Sequence, residues 1–147
     1  MIKNLLVFAL LFFVSLNVFP QNYDDTKKNI IKSIENHEEE IIKISDKIWE
    51  LAETAFNEYE SSKLLSDYAE ANGFTLERGV AGMPTAFVAT YGEGKPVISV
   101  LGEFDALPGL SQDTTPTKNP LTEGGNGHGC GHNLFGAASL ASAIAIK

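Results

Sequence analysis

The sequence predicts an α/β fold, with two helices leading into a mixed or parallel sheet and a third, buried helix behind it. Three observations predict it. Apolar residues recur at steps of three, four or seven from residue 26 onward, which is a helical period. Three short stretches then follow, divided by glycine and proline. The third of these, VISVLGEF at 97–104, is nearly continuous in apolar residues, as a strand is when both its faces are covered.

The first helix is expected over residues 26–56. Ile30, Ile34, Ile41, Ile44, Ile48, Ala52 and Ala55 form its apolar stripe, and Glu38, Glu39, Glu40, Lys43 and Lys47 lie between them. The acidic run and His37 read as a solvated face, and Trp49, Phe56 and Tyr59 as core or interface aromatics. The second helix is expected over 61–71, opening on Ser61 and Ser62 and closing at Asn72 and Gly73, a common left-handed stop. Strands are expected at 74–78, 85–91 and 97–104, with turns at Gly79, Gly82, Pro84, Gly92, Gly94 and Pro96. Glu103 and Asp105 stand two apart at the carboxyl end of the third strand, on one side of an extended chain, where ligands collect in open α/β sheets. Residues 108–127 form a polar loop too long to be a mere connector, and such loops tend to shape a site. Residues 132–147, HNLFGAASLASAIAIK, are apolar nearly all round and predict a helix buried between layers. The sequence ends inside that pattern without a capping glycine, which gives the expectation of a truncated chain.

Composition bounds the function. A chain of 147 residues, 44% hydrophobic, is long enough for one globular domain with a core of its own. A formal charge of −8 with no basic cluster argues against nucleic acid or an anionic membrane surface as partner. Cys130 is the only cysteine, so no internal disulfide can form. Residues 1–20 read as a signal peptide: Lys3 precedes a 15-residue apolar run, shorter than the roughly 20 residues a spanning helix needs. The expected location is therefore periplasmic or secreted, with no stable membrane anchor, and residues 21–147 form the mature portion.

The peptide GGNGHGCGHNLFG, residues 124–136, concentrates the chemistry. It lacks the Gly-Lys-Ser/Thr ending of a phosphate loop and the glycine spacing of a dinucleotide turn. Cys130 precedes an expected helix start, where a thiol pKa falls, so a thiol-dependent enzyme is one reading. However, catalytic Cys/His pairs usually meet across a fold, whereas Cys130 and His132 are two residues apart. Thiolate, imidazole and carboxylate are also the ligand types a borderline-soft divalent ion accepts, which makes a metal site the other reading.

GEFDALPGLSQ at 102–112, followed by GHGCGHNLFGAASLASA, resembles the N-terminal catalytic region of the dinuclear metallo-amidohydrolases and peptidases that include aminoacylase, hippurate hydrolase and carboxypeptidase G. Within that family it is most similar to the aminobenzoyl-glutamate hydrolase branch. The likeness runs from about Ile41 to Lys147, with Trp49, residues 53–59 and SSKLLSDYAEANGF in the same order. The resemblance implies a zinc-peptidase-like catalytic domain in which Cys130 and His132 are metal ligands. It implies that Asp105 is the catalytic acidic residue that orients and polarises the neighbouring metal site. Glu103 stands where many relatives carry histidine and is not taken as a ligand; nor is His128, read as a loop residue held by backbone hydrogen bonds.

The implied reaction is hydrolysis of an amide joining an acyl or aryl group to an amino acid, or of a dipeptide. In the family two divalent ions, zinc or manganese, activate water while a glutamate acts as general base. That glutamate, the other ligands and the lid domain used for dimerisation are expected further downstream than the 15 residues that follow His132. A homodimer is expected only where the lid is present. The isolated polypeptide is accordingly expected to be inactive, and the alternative is a non-catalytic fragment or one half of a split enzyme.

Overall fold

The computed structural model describes residues 23–147, so the expected signal peptide lies outside the described residues. Helix α1 spans Tyr23–Leu51, α2 Tyr59–Ala71 and α3 His132–Ile146; strands β1, Thr75–Arg78, and β2, Phe87–Thr90, lie between α2 and α3. The two strands pair antiparallel, with Leu76 opposite Ala89 and Arg78 opposite Phe87, across a connection that includes a 3₁₀ turn at Val80–Gly82. The described fold is thus mixed α/β: three helices and one small two-stranded sheet.

One core joins these elements. Ile44 and Ile48 of α1 meet Leu65 and Ala69 of α2, Leu140 and Ile144 of α3, and Phe74 just ahead of β1. Leu76, Phe87 and Ala89 close it from the sheet, and Phe87 stacks on Phe104 with ring centroids 6.2 Å apart. Burial of these side chains drives the packing, at roughly 1.5–3 kcal/mol for each large one.

The structure corrects the sequence reading in four places. First, the stripe on α1 is used mainly near its carboxyl end: Ile44 and Ile48 are buried, whereas Ile34 is about half exposed. Helix α2 meets α1 as far up as His37, whose Nδ1 lies 2.7 Å from the Tyr68 hydroxyl, and the apolar residues ahead of that contact have little to pack on. Second, residues 97–104 form no strand, and Val97, Ile98 and Leu101 are more than 70% exposed. A strand requires a hydrogen-bonded neighbour, and none flanks this segment among the described residues. Third, α3 is covered on one face only. Asn133, Gly136, Ala137, Leu140 and Ile144 are buried, while Leu134, Phe135 and Ile146 are exposed. Fourth, Phe56 and Tyr59 are exposed, which removes the core alternative for them and leaves the interface one.

The start of α2 also differs from the expected Ser-Ser opening. Glu53, from the segment ahead of the helix, accepts the backbone N–H of Glu60 at 3.1 Å and of Ser61 at 2.8 Å, together with the Ser61 hydroxyl at 2.7 Å. A carboxylate there satisfies donors that have no partner within the helix and suits the positive end of its dipole.

Candidate metal centre

The 97–104 segment, although unpaired, is held against α3. Ser139 Oγ donates to Leu101 O at 2.7 Å, and a side chain at Gly136 would press on Glu103 O and Phe104 at 3.0 Å. Gly136 therefore permits the close approach that brings Glu103 and Asp105 beside the first turn of α3. The next residue is fixed from the other side: Ala106 N donates to Glu53 O at 2.7 Å, and Thr54 and Ala106 form a parallel bridge.

His132, the first residue of α3, sits between the two carboxylates. Its Nδ1 is 2.8 Å from Asp105 Oδ1 and its Nε2 is 3.1 Å from Glu103 Oε2. A neutral imidazole donates from one nitrogen only. The Asp105 contact matches a recurrent feature of metal-binding histidines, in which a carboxylate orients one nitrogen; the other nitrogen here faces Glu103.

Cys130 is free and exposed, two residues before His132. Gly131, between them, takes a left-handed conformation at φ 72° as α3 begins. Among the described residues no group of three or more His, Cys, Asp or Glu side chains converges closely enough to hold a metal ion. The structure thus brings Asp105 and His132 together and adds Glu103, which the sequence reading set aside. Its sequence signals were the two-residue spacing from Asp105 and a place at the carboxyl end of the expected third strand.

The loop that carries Cys130 is tied down on both sides. Leu107 and Gly127 exchange backbone hydrogen bonds of 3.0 Å in each direction. A Cβ at Gly127 would lie 2.1 Å from Leu110 O, so only glycine fits that crossing. His128 Nε2 donates to Ile48 O at 3.0 Å, as expected for a loop residue held by backbone hydrogen bonds. Burial of the His128 ring pushes its pKa below the usual histidine value, and its Nδ1 is buried without a partner. A shallow groove of about 270 Å³ lies between Trp49–Ala52 and the loop at Ser111, Gln112 and Leu121; Asp105 and His132 do not line it.

No family model matches the chain. It is 49% identical over 118 residues to one of the subunits of the p-aminobenzoyl-glutamate hydrolase of Escherichia coli (strain K12), a match covering 78% of this chain and 24% of that protein. It is 35% identical over 121 residues to thermostable carboxypeptidase 2 of Saccharolobus solfataricus, covering 81% and 29% respectively. It is 26% identical over 131 residues to the Xaa-Arg dipeptidase of Mus musculus, covering 82% and 27%. The chain spans about a quarter of the length of these curated relatives. Taken with the motifs around Asp105 and His132, these matches mean that the chain belongs to the amidohydrolase and carboxypeptidase family, on its aminobenzoyl-glutamate hydrolase branch.

Proposed function

We propose that these residues build one wall of the active site of a metal-dependent amidohydrolase. Its substrate is a small molecule in which an amide joins an acyl or aryl group, such as aminobenzoyl, to an amino acid. The observation that carries this reading is the His132 imidazole placed between Asp105 and Glu103. Cys130 and His132 would hold a divalent ion, zinc or manganese, with Asp105 orienting the imidazole and Glu103 facing the ion-binding nitrogen. The donor set fits such an ion: thiolate and imidazole favour zinc, and added carboxylate is acceptable to manganese. When bound, the metal supplies Lewis-acid polarisation of the amide carbonyl and a more acidic water.

In this reading the general-base glutamate, the second ion's ligands and the clamp for the amino-acid carboxylate come from sequence outside these 147 residues. A longer form of the chain or a separate polypeptide would supply them. The exposed apolar surface of Val97, Ile98 and Leu101 with Leu134 and Phe135 favours such a further layer. The composition of residues 1–20 supports a location in the periplasm or outside the cell.

The test is a hydrolysis assay on an aminobenzoyl-amino acid with zinc or manganese added. The 147-residue polypeptide is expected to show no turnover alone, and metal-dependent turnover once a polypeptide corresponding to the remainder of the hydrolase is added. Robust turnover by the polypeptide alone, or turnover that a chelator leaves unchanged, contradicts the reading.

A further inference from the structure

The last two turns of α1 and the residue that follows them carry an unexpected set of bonds. Asn133 Nδ2 donates to Ser45 Oγ at 3.2 Å, His128 Nε2 to Ile48 O at 3.0 Å, and Asn126 Nδ2 to Ala52 O at 3.1 Å. Ser45 and Ile48 are three apart on one face of α1, and Ala52 is the residue just past its end. All three donors come from the stretch that holds Cys130 and His132: two stand before the pair and one directly after it. The carboxyl end of α1 therefore acts as a rail to which the glycine-rich loop is fastened.

His128 has the central place on that rail. Gly127, Gly129 and Gly131 alternate with it and with Cys130, and glycine leaves a backbone freer than any other residue. The His128 carbonyl accepts Gly131 N at 3.0 Å, closing the turn that contains Cys130, while its ring reaches α1. A carbonyl can only accept, so Nε2 bears a proton, and Nδ1 is buried without a partner.

We infer that His128 is a positioning residue: its Nε2–H bond to Ile48 O anchors the turn that sets Cys130 relative to His132. It acts through those two residues and does not ligate. The inference rests on the metal-site reading above and assigns a role to a histidine that this reading leaves out.

Cadmium binding to the 147-residue chain tests it, followed by the ultraviolet thiolate-to-cadmium band, alongside ¹⁵N NMR of the imidazole. A proton is expected on Nε2 with and without cadmium. His128→Ala is expected to bind cadmium about 10–100-fold more weakly, as removal of an outer partner of a ligand commonly does. His128→Gln, which keeps an N–H donor, is expected to recover most of that loss. A purely structural role would lower the unfolding temperature of His128→Ala and leave the cadmium affinity of the folded protein unchanged. That result, or an Nε2 found without a proton, overturns the inference alone. Absence of the thiolate band in the unsubstituted chain overturns the metal-site reading and the positioning role with it.

Discussion

His132 takes its character from two carboxylates that the sequence places 27 and 29 residues earlier. Asp105→Ala leaves Nδ1 without its acceptor and frees the ring to turn. The expected result is a loss of about 10–100-fold in divalent-metal affinity with little change in fold, measured by titration and circular dichroism. Asp105 and His132 were legible from their motifs, and the structure joins them at hydrogen-bond distance. Glu103 was visible as a neighbour of Asp105 but not as a partner of His132, because that contact depends on how closely residues 103–104 approach Gly136. Motif spacing carries no such three-dimensional information. The rail on α1 was equally hidden, since its bonds join residues 74 to 88 positions apart.

Among the elements, the long loop is organised by Asp113. Its carboxylate accepts the Thr115 hydroxyl at 2.6 Å, the Thr115 N–H at 2.8 Å and the Asn119 side-chain amide at 2.6 Å. These bonds, the Thr115 hydroxyl foremost, hold its pKa below the usual carboxylate value. A pKa lowered by folding means that the stabilisation is complete above the ordinary carboxylate value and is lost as pH falls through the lowered one. Limited proteolysis is therefore expected to cut the loop faster in acid than at neutral pH, and Asp113→Asn to be cut faster even at neutral pH. A second element-scale prediction concerns Gly127→Ala, whose added methyl meets the Leu110 carbonyl. The crossing of Leu107 and Gly127 must then open, at a cost of about 1–3 kcal/mol by overpacking, read as a lower denaturant midpoint. Helix α1 was legible from its apolar period, α2 from its Asn-Gly stop and α3 from its continuous apolar run. The anchor of α2 was not, because Glu53 belongs to the preceding segment and reaches the helix only after the chain has turned.

For the whole molecule, the mixed α/β class was legible and the extent of the sheet was not. The apolar run 97–104 reads as a doubly covered strand, yet sequence records only the tendency to be covered and not what covers it. In the described residues Val97, Ile98 and Leu101 stay exposed, as do Leu134, Phe135 and Ile146 of α3. Apolar side chains left in water give an apolar dye a surface to bind. The purified chain is expected to bind the dye ANS at neutral pH, and substitution of Ile98 and Leu101 by Lys to reduce that binding while the three helices persist.

Titration of the chain with cobalt(II), followed by optical absorption, tests the central claim most directly. Coordination by Cys130 and His132 predicts a thiolate-to-cobalt band that saturates at one ion per chain, vanishes in Cys130→Ser and weakens at least about tenfold in His132→Ala. A spectrum of hydrated cobalt at all concentrations, or a thiolate band indifferent to His132, would contradict it.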